Sequence, residues 1–136
     1  MYLIYHPEGS DEPTRFKYNP RKLMSAEREM LERKTDKDFS DFTSAVLSGN
    51  SLCRRALLYM YLKREHPGIK WDAVDFSWDE LKLEYSKQEL TKMREAVSEN
   101  TSGDERAATL ANLDEQIETA IDESEDGGKV DLPIAG

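Results

Sequence analysis

Residues 52–66, Leu-Cys-Arg-Arg-Ala-Leu-Leu-Tyr-Met-Tyr-Leu-Lys-Arg-Glu-His, place apolar side chains around most of a helical circumference. A helix with no single wet face belongs in the middle of a core. Pro67-Gly68 stops it, because proline removes a backbone donor and glycine favours the exit conformation. The remaining segments are therefore read for what they can wrap around this helix.

Upstream, Phe39, Phe42, Val46 and Leu47 recur at three- and four-residue spacing before Gly49-Asn50, which predicts an amphipathic helix with Asp36 as its cap. Ser25 offers an N-cap for a helix over 26–34, where Ala26, Met30 and Leu31 supply an apolar side, and Asn19-Pro20 opens a turn or a helix. Residues 2–6 and 14–18 are short and rich in β-prone types, with Pro7, Gly9, Ser10, Asp11 and Pro13 between them. They predict two strands and a loop, a hairpin that has to lean on helices because it is marginal alone.

Downstream, residues 69–76 carry Trp71, Val74 and Phe76 and predict an irregular or extended connector whose aromatics cover the central helix. Ser77-Trp-Asp-Glu80 and Ser86-Lys-Gln-Glu89 both have the capping-box pattern, and each predicts a helix start. Leu90, Met93, Ala96 and Val97 line the second of these helices. The expected fold is mainly α: a small helical domain with a short N-terminal β-hairpin and an acidic C-terminal helix.

Charge divides the chain. Its 136 residues carry a net charge of -9, but residues 1–98 hold 17 Lys+Arg and 17 Asp+Glu, whereas 99–126 hold Arg106 against ten acids. The expected organisation is a core domain over 1–98, an acidic amphipathic helix over 99–126 and a flexible tail over 127–136. Ser102-Gly-Asp-Glu105 is a third capping-box pattern opening that helix. Leu110, Leu113, Ile117 and Ile121 then step by three and four, a narrow stripe suited either to docking on the chain's own domain or to contacting a partner. These four residues are the candidate partner-binding set.

No constellation for catalysis, cofactor binding or metal binding stands out. His6 and His66 lie in separate segments without metal-ligating neighbours, and Cys53 is alone in an apolar run that suits a core position. There is no Gly-rich phosphate loop, no G-x-S-x-G and no H-E-x-x-H. Asp36-Lys-Asp38-Phe-Ser-Asp41 lacks the glycine and the twelfth-position glutamate of a calcium loop. An enzyme is therefore not expected. The charge argues against nucleic-acid backbone binding, and no apolar run approaches the roughly 20 residues of a membrane span. The opening Met1-Tyr2-Leu3-Ile4-Tyr5 is too short and uncharged for a signal peptide. Arg54-Arg55 and Lys63-Arg64 form either a small basic patch or solvated partners for nearby acids such as Glu65; Trp71, Phe76 and Trp78 suit core, interface or ligand packing.

A family resemblance adds to this reading. Phe16-Lys-Tyr-Asn-Pro-Arg-Lys-Leu23, the helix ending Glu32-Arg33-Lys34-Thr35 and Asp38-Phe-Ser-Asp-Phe42 resemble the N-terminal part of tail assembly chaperones of long-tailed, siphovirus-type actinobacterial phages. Gly49-Asn50-Ser-Leu-Cys-Arg-Arg-Ala56-Leu57, Lys63-Arg-Glu-His-Pro67 and Val74-Asp-Phe76 carry it further, so that it spans about residues 14–85. The resemblance implies a nonstructural helper that binds the tape measure protein, keeps it soluble in the host cytoplasm while the tail tube protein polymerises around it, and is absent from the mature virion. Homo-oligomers fit the same role.

It also implies a longer second product made by a programmed -1 frameshift, with this chain as the short form and the longer form as a further partner. Gly127-Gly128-Lys129 permits slippery codons and equally reads as an ordinary helix terminator. Two other classes fit the bare sequence: a head-tail connector or minor tail protein, which would persist in particles, and an acidic DNA-mimic inhibitor, suggested by 99–126 alone.

Overall fold

A computed structural model describes residues 1–125; the 127–136 tail and the Gly127-Gly128-Lys129 run lie outside the described residues. Among those described, the chain is mainly helical, with five α-helices and a small three-stranded antiparallel sheet. Two compact units are formed by the described residues: Leu3–Leu83, and Met1–Tyr2 together with residues 84–125. No described helix is long and apolar enough to cross a membrane.

In the Leu3–Leu83 unit the apolar run forms α3, Ser51–Glu65, with Cys53 and every residue from Ala56 to Tyr61 buried. Asn50 caps it by accepting the Cys53 amide at 3.0 Å. Helix α1, Ser25–Thr35, and helix α2, Phe39–Ser48, both pack against α3. They contribute Leu31 and Thr35 from α1 and Phe42 and Val46 from α2. The Thr35 hydroxyl reaches this interior because it donates to the Leu31 carbonyl at 2.7 Å. Leu57 is fully enclosed, and its loss to alanine would cost about 2–5 kcal/mol.

The strands β1, Tyr2–Tyr5, and β2, Thr14–Lys17, form as expected from the N-terminal segments. Phe16 is the buried residue of β2; it stacks on Tyr61 at 5.0 Å between centroids, and the Tyr61 hydroxyl donates to the Lys17 carbonyl. The hairpin thus leans on α3.

The third strand was not expected. Ser77 does open a turn, its amide donating to the Glu80 carboxylate at 2.7 Å, but the turn is one 3-10 turn over Trp78–Glu80 and not a helix. The chain then extends as β3, Leu81–Glu84, giving the order β2-β1-β3. Leu81-Lys-Leu-Glu84 alternates apolar and charged, and the Glu80 carbonyl accepts the His6 amide at 2.8 Å, so pairing with β1 overrides the local helix signal.

Two cap assignments also change. Ser25 is the first residue of α1 and makes no cap; Met24 precedes it. Asp36 ends α1 in a left-handed conformation, φ 53°, and Asp38 precedes α2 instead. The Phe39 amide is satisfied by Glu32, whose carboxylate reaches it at 3.0 Å, which removes the need for a local cap.

In the second unit, helix α4, Lys87–Asn100, starts on a complete capping box between Ser86 and Glu89, and helix α5, Gly103–Thr119, packs along it. The division read from charge, between residues 98 and 99, lies in the last turn of α4, and α4 and α5 belong to one unit. Ser102 precedes α5 without a side-chain cap, and the helix stops at Thr119, short of the expected 126. Contacts with the first turn of α4 end it: the Lys87 amide donates to the Ile121 carbonyl at 2.8 Å, and the Glu123 amide to the Gln88 side chain at 3.0 Å. The Gln88 amide donates in turn to Asp122 at 2.8 Å. Orphan donors at a helix start are a strong attractor for a returning chain.

Candidate interaction surfaces

Leu110, Leu113 and Ile117 lie on α5, and Ile121 lies two residues beyond its end. All four are half-buried, with Arg106 continuing the same row, while the rest of α5 is exposed. Since α5 packs along α4, this row is the face it turns toward α4. Arg94 to Asp114 at 2.6 Å and Arg106 to the Ser98 hydroxyl at 2.9 Å tie the same two helices. The stripe is therefore engaged within its own unit, and none of its members is fully buried.

The connector and the α2–α3 turn build a second surface. Gly49 ends α2 at φ 90°, a left-handed conformation for which glycine has no steric penalty. The indole of Trp78 lies directly over it, Cη2 standing 2.9 Å from where a Cβ would be. Arg54 reaches over the same indole, 5.5 Å from the ring centroid, and its Nε donates to the Val46 carbonyl at the end of α2 at 2.9 Å. Burial of this guanidinium lowers its pKa.

Trp78 is 69% exposed nonetheless, and Leu47 and Leu52, two residues before and three after Gly49, are 51% and 44% exposed. The spacing predicts Leu47 on the inner face of α2, and the structure exposes it instead. It follows Val46 directly, and a one-residue step turns it about 100° off the Phe42/Val46 row. An exposed tryptophan stacked with an arginine is the pair of residue types in which interface hot spots are enriched, and the exposed leucines add apolar area around it.

Along α3, Arg55 lies over Trp71 at 4.3 Å while its Nε and Nη2 donate to the carbonyls of Val74 and Trp71 at 2.5 and 3.0 Å. Lys34 of α1 sits 4.6 Å from the Trp71 centroid and 5.4 Å from that of Tyr59. Lys63 lies 5.4 Å from the Tyr59 centroid, and the two rings meet edge to face at 5.4 Å. Trp71 thus covers the central helix as the connector reading expects. The two basic pairs do different things: Arg64 of Lys63-Arg64 forms a bidentate pair with Glu27, both contacts at 2.7 Å, whereas Arg54 and Arg55 each stack on a tryptophan. Lys34 carries no sequence signal for this role, because its contact with Trp71 depends on how α1 packs.

His6 is exposed near a loop carbonyl, Ser10 O at 3.1 Å, and His66 caps α3; Cys53 is buried and its thiol pKa is raised by desolvation. Among the described residues no group of three or more His, Cys, Asp or Glu side chains could hold a metal ion. No family model, curated protein or solved structure matches the chain.

Proposed function

We propose that this chain is a tail assembly chaperone of a long-tailed phage, which binds the tape measure protein and keeps it soluble until the tail tube encloses it. The observation that carries the reading is the corner at Gly49. The segment of the resemblance from Gly49 to Leu57 is the one that forms the turn, the cap and Arg54, and around it stand Leu47, Leu52 and Trp78 with large exposed apolar areas. A long helical client presents apolar faces before assembly, and a rigid apolar corner of this kind can cover them.

On this reading the protein acts in the host cytoplasm and leaves before the virion is finished, and the acidic segment keeps complexes apart by like-charge repulsion. The Leu110, Leu113, Ile117 and Ile121 stripe takes second place as a contact, since it faces α4; opening the α4–α5 pair would be required to offer it. Co-expression with the longest helical protein encoded just downstream, followed by pull-down and a soluble-fraction assay, tests the proposal. Co-purification and solubilisation are expected, together with absence of the chain from purified particles by mass spectrometry. Retention in particles would instead favour a structural connector.

A further inference from the structure

Lys34, Arg55 and Lys63 converge on Tyr59 and Trp71, and among the described residues none of the three forms an ion pair with a carboxylate. Unpaired cations gathered at one place are unexpected in a chain that carries 28 acids against 19 bases. We infer that this cluster is a docking surface for the carboxylate face of an acidic helix in a protein partner. The inference stands whether or not that partner is a tape measure protein.

Position and spacing set the fit. Arg55, Tyr59 and Lys63 follow one another at i, i+4 and i+8 on α3, so the two cations are spread over about 12 Å of helix. Carboxylates two turns apart on a second helix, at i and i+7 or i+8, stand about 11–12 Å apart and match that interval. Lys34 adds a third point of charge from α1.

The cations are also held in advance. Arg55 is fixed by two carbonyls and a ring, and the ammonium of Lys34 rests against two rings, so less side-chain freedom is lost when an anion arrives. A nucleic acid fits less well. Three cations neutralise few phosphates, the chain's net charge opposes a polyanion, and Tyr59 is buried with Trp71 against its ring, leaving no open pair of faces for bases.

The test uses the full chain with Trp78→Phe, which leaves Trp71 as the sole tryptophan. It is titrated with an amidated helical peptide of about 20 residues bearing Glu at i, i+4 and i+7 positions, with the same peptide carrying Gln for Glu, and with oligodeoxythymidylate. A saturable change in Trp71 emission is expected with the Glu peptide alone, weakened about tenfold or more by Lys34→Glu with Lys63→Glu and by high salt. Lys34→Gln with Lys63→Gln, which cannot introduce repulsion, is expected to weaken it less while leaving the circular dichroism unchanged. No response to the Glu peptide, an equal response to the Gln peptide, undiminished binding in either charge variant or tighter binding of the oligonucleotide would overturn the inference. So would self-association of the wild type that these variants abolish, since a second copy would then be the occupant.

Discussion

The indole of Trp78 and the backbone of Gly49 are in direct contact, and the contact exists only because position 49 has no side chain. Two independent restraints meet at that glycine, a φ of 90° and the overlying ring. The arrangement holds a large aromatic surface in water over the α2–α3 turn, whose flanking residues Leu47 and Leu52 are also exposed.

Replacing Gly49 by alanine is therefore expected to destabilise the protein by about 1–3 kcal/mol, from a left-handed backbone and displacement of the indole. In a Trp78→Ala background the second part should vanish, and the cost should fall toward about 1 kcal/mol. Urea denaturation of the four proteins in the cycle measures this. Additive effects at the two sites would mean that the ring does not rest on Gly49 in solution.

The return of the chain onto α4 has a pH signature. Asp122 has its pKa pushed down to about 2, chiefly by the Ser124 hydroxyl, then by the Gln88 amide and the Ser124 backbone N–H. A depressed carboxylate contributes above its unfolded pKa and loses that contribution as pH falls through the folded value. The Gln88–Asp122 tie should thus persist at pH 4 and weaken on approaching about 2. Carboxyl NMR titration of Asp122 reads this directly, and Gln88→Ala should move its midpoint upward; an ordinary midpoint in the intact protein would contradict the placement of Asp122.

Changing Leu110, Leu113, Ile117 and Ile121 together to Ser removes the half-buried row by which α5 meets α4. At about 0.5–1 kcal/mol for each half-buried side chain, the loss of about 2–4 kcal/mol should release α5. Hydrogen exchange should accelerate along 103–119 and stay slow in α3, where the core is separate. Protection unchanged along α5 would show that the stripe does not hold it.

Cys53 is fully buried and its thiol is held protonated by desolvation, so aromatic disulfide reagents should label it only on unfolding. Rapid stoichiometric labelling of the native protein would place it at the surface.

Much of the fold was legible because burial pattern and chain punctuation agreed. The run from Ala56 to Tyr61 could only be interior, and Gly49-Asn50 and Pro67-Gly68 marked its bounds. What escaped was decided by partners distant in sequence. Ser77-Trp-Asp-Glu80 is a sound local helix start that yields to strand pairing with β1, and α5 ends early because Lys87 and Gln88 draw residues 121–123 to themselves.

The interaction surfaces were legible only in part. The stripe of α5 announced itself by spacing, yet spacing does not say what covers it. Trp78 was visible as an aromatic, but its exposure and its seat on Gly49 depend on the connector crossing the α2–α3 turn, as does the stacking of Arg54. Leu47 was misplaced by one residue of helical rotation.

The most direct test of the account is capture of the tape measure candidate by the wild-type chain and by Trp78→Ser, compared in co-expression pull-downs with the stability of both checked by thermal melting. The account predicts a soluble complex with the wild type and loss of most capture with Trp78→Ser, in a protein that stays folded with a stability loss of about 1–2 kcal/mol, since the indole rests on Gly49 but is mostly exposed. Equal capture by both proteins, or a client that aggregates equally with and without the wild-type chain, would contradict it.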